Sequence, residues 1–354
     1  MNSERLLRRT GSRTLAEDLV RQIEEGILRT GDPIRSAKDL AVKYKISYVT
    51  AHAAIQRLAR AGYCVRISGR GTFVSDKAPR VDAVGIPAYH ESNPFLSHMV
   101  EELTMGATKR GIHAVVGRAV RTSDFIERLL ANGVKAMIRF PGSGGSEDLT
   151  EDGVWRLLKD RGMRAVTIND FWRDGGPLPH VCIDEATGVS QMMDHLVSLG
   201  HKRILIVQEV AAGTRFRALE AYGAALARHG LAYDPRNVMY VFTPEKDTAE
   251  KGIRLTAQEM LKQGTAAIVM YDLYALQLLN ELKRQGVAVG RDFSLAGFDG
   301  IHEAEVAGLS TVVQPLEELV NQAFRLLQDR HQEAAPKVRV LPSCVFRSST
   351  GPCP

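Results

Sequence analysis

Apolar residues recur along this chain with two different periods, and the change of period falls near residue 80. Leu15, Leu19, Ile23 and Ile27 follow one another at helical spacing. Thr14-Leu15-Ala16-Glu17 opens that stretch with the spacing of a capping box, in which a hydroxyl and a carboxylate satisfy orphan N–H groups. Gly31-Asp32-Pro33 ends it. Ser36-Ala37-Lys38-Asp39 repeats the cap pattern and carries Leu40 inward, and Ser47 opens a third helix over about 48–61. Ala51, Ile55 and Leu58 line one face of that helix, while Tyr48, Val49 and His52 start another. Residues 63–67 alternate as a half-buried strand should. Gly69 and Gly71 then flank Arg70, and Thr72-Phe73-Val74 returns. The pattern predicts a helix–helix–turn–helix unit closed by a hairpin.

From Val81 onward, short apolar runs alternate with longer amphipathic stretches. The runs cover 81–87, 113–120, 134–140, 165–168, 180–183, 204–207, 238–241, 266–270 and 293–297. The stretches include 95–110, 186–199, 214–229, 248–263 and 273–285. This alternation predicts α/β architecture with parallel sheets flanked by helices. So many units exceed one sheet, so two lobes are expected. The boundary falls in a short polar junction, giving a first domain over 1–76, a linker over 77–81 and a large domain over 82–350.

Charge sharpens this division. Residues 1–79 hold 15 Lys and Arg against 8 Asp and Glu, a net +7, whereas the remainder nets −2. A basic small unit on a nearly neutral body is the footprint of a surface that meets phosphate. If the third helix enters a major groove by its N-terminal end, its first residues reach base edges. Glycines beside Arg70 would let the hairpin approach DNA, with Arg70 on a phosphate or in the minor groove. The candidate DNA contacts are Arg35, Ser36, Lys38, Ser47, Tyr48, Val49, Thr50, His52, Gly69, Arg70 and Gly71, with Lys43 and Lys45 adding general attraction.

In the large domain, ligands of open α/β sheets sit beyond the carboxyl ends of the strands. The residues delivered there are Tyr89, His90, Asn93 and Phe95, then Phe140, then Asn169, Asp170, Phe171 and Trp172. Asp184, Arg215, Arg217, Tyr271, Asp272 and Asp299 complete the set. Aromatic faces cover C–H surface, and Asp and Arg bond pairs of hydroxyls, so a polyhydroxylated effector is expected. Asp272 is favoured for ligand contact and Asp299 is the weakest of the three aspartates, since a strand-end Asp often caps the next helix instead. His195 and His201 are read as structural.

Other chemistries lack their residues. Gly142-Ser143-Gly144-Gly145 is not followed by the Lys-Ser/Thr of a phosphate loop, and no Gly-x-Gly-x-x-Gly follows a strand. The four cysteines, Cys64, Cys182, Cys344 and Cys353, have no metal-ligand spacing. No catalytic residue, metal or cofactor is expected, and no apolar run approaches membrane-spanning length. The first 13 residues carry arginines and no secretory apolar stretch, so a cytoplasmic protein is expected.

At Ser47-Tyr48-Val49-Thr50 and Gly69-Arg70-Gly71-Thr72-Phe73-Val74 the chain resembles the GntR family of winged helix-turn-helix regulators, over about 14–75. Arg35-Ser36-Ala37-Lys38 stands where that family usually has Pro-Ser-Glu-Arg, and Tyr48 and His52 stand at its usual arginines. Over about 81–350 the chain resembles the LacI/GalR effector domain, itself similar to periplasmic sugar-binding proteins. The resemblance is carried by Asn93-Pro94-Phe95, Val181-Cys182-Ile183-Asp184-Glu185, His195 through Ile204, Asp272 through Ala275, Gly286 through Asp299 and Leu309 through Pro315. That family's usual Arg-x-x-Gly-Phe/Tyr is here Ala218 through Tyr222, with Arg217 or Arg215 as substitutes. The resemblance implies crossings between lobes near 200, 313 and 335, with lobe one over about 82–200 and 314–334 and lobe two over about 201–313 and 335–350. It also implies a homodimeric regulator on double-stranded operator DNA, controlled by a small molecule, with a sugar foremost. The runner-up reading is a solute receptor with no regulatory DNA binding.

Overall fold

The computed structural model describes residues 11–24, 27–75, 81–88, 94–117, 121–139, 151–169, 178–209, 216–241, 246–329 and 335–354. They divide into two compact units, 1–81 and 82–354. In the first unit, helices α1 (Ser12–Glu24), α2 (Ala37–Tyr44) and α3 (Tyr48–Arg60) pack together. Strands β1 (Pro33–Ile34), β2 (Cys64–Ile67) and β3 (Gly71–Val74) form an antiparallel sheet in the order β1-β3-β2. Leu15, Leu19, Leu40, Ala51 and Leu58 are buried together, and Ile23 and Ile55 pack against them.

Two local expectations change here. Helix α1 begins at Ser12, so Thr14 lies inside it, and Glu17 accepts from Arg13 Nε at 2.9 Å rather than turning back to a cap. Ile27 lies beyond the helix and is mostly exposed, because the helix ends before that turn of the stripe can bury it. Strand β2 also departs from alternation, with only Cys64 buried and Val65 and Ile67 facing solvent.

The second unit holds two six-stranded sheets. The first contains β4 (Ala83–Pro87), β5 (His113–Gly117), β6 (Ala136–Arg139), β7 (Arg164–Ile168), β8 (His180–Ile183) and β14 (Lys337–Val340), in the order β14-β8-β7-β6-β4-β5. All its pairs are parallel. The second contains β9 (Ile204–Glu209), β10 (Val238–Val241), β11 (Ala266–Val269), β12 (Ser294–Asp299), β13 (Ser310–Val313) and β15 (Ser343–Val345), in the order β10-β9-β11-β12-β13-β15. Only β15 runs antiparallel there. Val84, Ile86 and Ile138 in one sheet, and Ile204, Leu205, Ile206 and Ile268 in the other, are wholly buried, as strands covered on both faces require.

The crossings differ from the expected ones in two of three places. Helix α7 (Glu185–Ser198) buries Val189, Met192, Met193 and Leu196 in one cluster with Ile204, Ile206 and Phe298 of the second sheet. A Cβ on Gly188 would stand 2.6 Å from Val312, so this glycine lets the helix lie close on that sheet. The chain therefore crosses at 183–185, ahead of the helix, rather than near 200. Its return at 313–315 delivers helix α12 (Leu316–Gln328) onto β7 and β8. The last crossing comes at Leu341-Pro342, because β14 adds to the edge of the first sheet beside β8 before β15 joins the second.

The two histidines read as structural fasten the C-terminal segment to the second sheet. His201 is wholly buried, with Nδ1 2.9 Å from Thr265 Oγ1 and Nε2 3.0 Å from both Ser294 Oγ and the Gly351 carbonyl. His195 Nε2 lies 3.0 Å from Thr350 Oγ1, and its ring stacks on Phe346 at 3.7 Å. All four cysteines are free. Burial pushes the thiols of Cys64, Cys182 and Cys344 up to about 11, so none of those three is a thiolate at neutral pH. Among the described residues, no helix is long and apolar enough to cross a membrane.

His180 opens β8 with 6% of its surface exposed. Burial first, then the charges of Lys337 and Arg339, push its imidazole down to about 4. The folded protein thus holds it neutral while the unfolded chain protonates it near its ordinary value. Its contribution to stability is present above about 6.5 and is lost as pH falls from there toward 4, by roughly 3 kcal/mol at most. His180→Leu is expected to flatten the melting-temperature profile over that interval. An unchanged acid slope would show that His180 does not titrate in this way.

Candidate nucleic-acid interface and ligand cleft

The first unit presents the N-terminal ends of two helices. Ser36 caps α2 by accepting from the Asp39 N–H at 3.2 Å, and Ser47 caps α3 by accepting from the Thr50 N–H at 3.0 Å. The Ser47 and Thr50 hydroxyls also share a bond at 2.8 Å. These hydroxyls thus hold the helix ends in shape, which leaves outward contact to other groups. Tyr48 is 58% exposed and Val49 74%, and the half-buried His52 stacks on Tyr48 with ring centroids 5.9 Å apart. Arg35, Lys38 and Arg70 are exposed and, among the described residues, form no ion pair. The Arg70 N–H closes the hairpin turn on the Ile67 carbonyl at 3.0 Å. Gly69 at φ +71° and Gly71 at φ +119° supply backbone that a side chain would strain. Exposed cations at the N-terminal end of α2 and at the hairpin tip favour phosphate there.

In the second unit, the carboxyl strand ends bring a different set together. Asn169 follows β7, Asp299 ends β12 and Gln314 follows β13; all three are buried. Gln314 Oε1 accepts from Asn169 Nδ2 at 2.7 Å, and Gln314 Nε2 donates to Asp299 Oδ1 at 2.8 Å. The half-buried Tyr271 meets Tyr274 edge-on at 6.1 Å. Phe95, at the start of helix α4 (Pro94–Lys109), packs against the second-lobe cluster that contains Val269, Phe293 and Ile301. Asp184 is half-buried and caps α7, accepting from the Thr187 N–H at 3.3 Å. Burial and then the neighbouring Arg339 hold the half-buried Arg217 below the usual arginine range. Tyr89, His90, Asn93, Phe140, Asp170, Phe171, Trp172 and Arg215 lie outside the described residues.

Asp272 is not placed to meet a ligand. It is 0% exposed. Oδ2 accepts from the N–H groups of Gly300 and Ile301 at 2.7 and 3.0 Å, and Oδ1 accepts from Thr311 Oγ1 at 2.7 Å. A Cβ on Gly297 would stand 2.0 Å from Oδ1, so the glycine makes room for this carboxylate. Burial raises its pKa in spite of those donors. Asp272 is therefore an internal clamp on the turn after β12, while Asp299, also buried, bonds the Gln314 amide. Sequence reading passed over Arg139 and Gln314. Arg139 ends β6 and is wholly buried. A lone cation closing an apolar run was the available signal for it.

Comparison with known proteins fits both surfaces. Residues 12–74 match the family described as bacterial regulatory proteins, gntR family. Residues 193–350 match the periplasmic binding protein-like domain. The chain joins a GntR-family DNA-binding domain to a periplasmic binding protein-like domain. The arabinose metabolism transcriptional repressor of Geobacillus stearothermophilus is 24% identical over 352 residues, spanning 95% of this chain and 96% of the relative. The transcriptional repressor CytR of Escherichia coli K12 is 26% identical over 324 residues, 83% of this chain and 89% of its own. A LacI family transcriptional regulator from Enterococcus faecium, solved with bound ribose, matches with TM-score 0.64 and 23% identity, over 76% of this chain and 99% of that one. These relatives are transcription regulators, not enzymes. The GntR-family domain accounts for the basic surface around α3 and the hairpin. The periplasmic binding protein-like match spans the second sheet and the last strand of the first.

The clamp role of Asp272 has a measurable consequence. Asp272→Ala leaves two backbone N–H groups and one hydroxyl buried without their acceptor, a loss of about 2–4 kcal/mol. Asp272→Asn keeps an acceptor and is expected to lose less. Denaturant unfolding of the two variants checks this, and wild-type stability in Asp272→Ala would refute the clamp.

Proposed function

We propose that this protein is a cytoplasmic transcription repressor whose affinity for operator DNA is set by a small molecule, a sugar or sugar derivative, held between the lobes of its larger domain. One observation carries the reading: the alignment with the arabinose repressor runs through both domains in the same order and leaves almost none of either chain unmatched. The GntR-family match at 12–74 disfavours the alternative of a solute receptor, which would have no use for a winged helix-turn-helix.

In this reading the N-terminal end of α3 enters the major groove, where Tyr48, Val49 and His52 meet base edges. Arg35, Lys38 and Arg70 meet phosphate, and the glycines at 69 and 71 let the wing approach. With tyrosine and histidine rather than arginine at the head of α3, phosphate contact falls more heavily on the wing and on α2. A homodimer presents two such units to a two-fold operator. On the effector side, this reading assigns Asp299, Tyr271, Asp184, Arg217 and Phe95, among the described residues, to the cleft. The ligand acts only through a difference in affinity between two lobe arrangements.

Arg70→Ala is expected to weaken operator binding about tenfold and to lower the salt-dependence slope by about one. Titration of operator DNA at several salt concentrations measures both, and the same slope with and without Arg70 would remove it from the phosphate contacts. Thermal-shift screening of sugars tests the cleft, because a ligand that binds only the folded state raises the melting temperature. Operator affinity that no stabilising sugar alters would overturn the regulatory reading.

A further inference from the structure

Among the described residues, three that are not glycine have positive φ: Lys45, Asn169 and Asp299. Lys45 is the left-handed C-cap of α2. The other two stand at opposite ends of one hydrogen-bond chain, with Asn169 at φ +53° after β7 and Asp299 at φ +144° closing β12. Left-handed backbone is tolerable for asparagine, but Asp299 adopts a conformation almost reserved for glycine. Such backbone persists only where surrounding contacts hold it. Here one residue joins the two outliers. Gln314 lies in the 313–315 crossing, 3% exposed, and its single amide bonds Asn169 of the first lobe and Asp299 of the second.

The amide is chemically required in this position. Asn169 Oδ1 accepts from the Ile183 N–H at 3.2 Å, which turns its Nδ2 donor toward Gln314. Gln314 must then accept on one side and donate to a carboxylate on the other. A glutamate at 314 would lack the donor, and a lysine would lack the acceptor. The chain also touches two crossings, since Ile183 begins the first and Gln314 is in the second. A rotation of the lobes about these crossings would have to strain the Asn169–Gln314–Asp299 bonds.

We propose that Gln314 is a hinge latch: its amide holds the first lobe to Asp299 of the second and so sets the lobe spacing against which a ligand at the cleft works. The part played by Asp299 toward ligand rests on the function proposed above, while the latch itself does not. A hydroxyl that donates to Asp299 competes with the Gln314 N–H for the same carboxylate. That competition is a direct route from occupancy to lobe angle. Gln314 is a positioning residue in this scheme, acting through Asp299.

Backbone amide exchange on the full-length, ligand-free chain tests the latch without any effector. Gln314→Met keeps side-chain length and removes both bonds. The backbone N–H of Gln314 still donates to the Asp299 carbonyl at 3.1 Å, so the crossing stays paired. Exchange at Ile183, in the other lobe, is expected to rise about tenfold while Ile138 and Ile206 inside the two sheets keep wild-type protection. Gln314→Glu retains the acceptor for Asn169 but loses the donor to Asp299, so Ile183 is expected to exchange faster there as well, and wild-type protection in that variant would reduce the link to the Asn169 bond alone and overturn the latch. Thr311→Val removes a buried bond of similar kind wholly within the second lobe, and should speed Gly300 and Ile301 but not Ile183. Wild-type protection of Ile183 in Gln314→Met would overturn the proposal, as would equal acceleration at Ile138 and Ile206. Failure of every sugar to bind would count against the proposed function and leave this outcome standing.

Discussion

A chain that passes three times between two sheets must leave its ladders at each passage, and every buried N–H and C=O it carries there needs another partner. The larger domain depends on meeting that demand. At the first passage the Asp184 N–H bonds the Val340 carbonyl, and Ile183 is held by an Asn169 side chain. At the second, the Gln314 N–H bonds the Asp299 carbonyl. Beyond β12 the turn at Gly300 and Ile301 is held by Asp272. Polar side chains at the strand ends are therefore committed first to backbone, and what faces a ligand is what remains.

This commitment explains which features were legible in the sequence. Helix and strand periods placed most elements of both units within a few residues, because long apolar runs such as 204–207 and capped starts such as Ser36 and Ser47 are local signals. The passages between lobes were not local. Residues 186–199 read as a helix in any case, and only the cluster of Met192, Met193 and Leu196 with Ile206 shows which sheet that helix covers. Strand 337–340 alternates Lys337 and Arg339 with valine, the pattern of an exposed edge, and β15 of the other sheet begins only three residues later. No hydropathy pattern tells an edge strand which sheet it will extend.

The site shows the same limit. Asp184, Asp272 and Asp299 are indistinguishable by position, each ending a strand and preceding a turn or helix. The structure gives them three fates: helix cap, turn clamp and partner of the Gln314 amide. What separates Asp272 from Asp299 is the glycine at 297, which admits one carboxylate to the interior, and the amide at 314, which detains the other. Both determinants are distant in sequence from at least one partner. In the first unit the signals were nearer, since Arg70 and its glycines are consecutive and the exposed head of α3 directly follows its cap.

The autonomy of the two units limits how an effector can act. Residues 12–74 bury their own cluster of Leu15, Leu40, Ala51 and Leu58, so the DNA-reading unit has a core that owes nothing to the cleft. A ligand between the lobes cannot then work by completing or dissolving that core. In the proposed function it can act only by shifting the lobe equilibrium. A rigid lobe pair would bind a ligand without consequence, and a loose one would spend the binding free energy on ordering itself. A link made of hydrogen bonds to one amide, buried but breakable by a competing hydroxyl, lies between those limits. If a ligand bonds Asp299 as the proposed function has it, the strength of that link relative to the ligand's own bonds determines how much of the binding free energy is converted to motion.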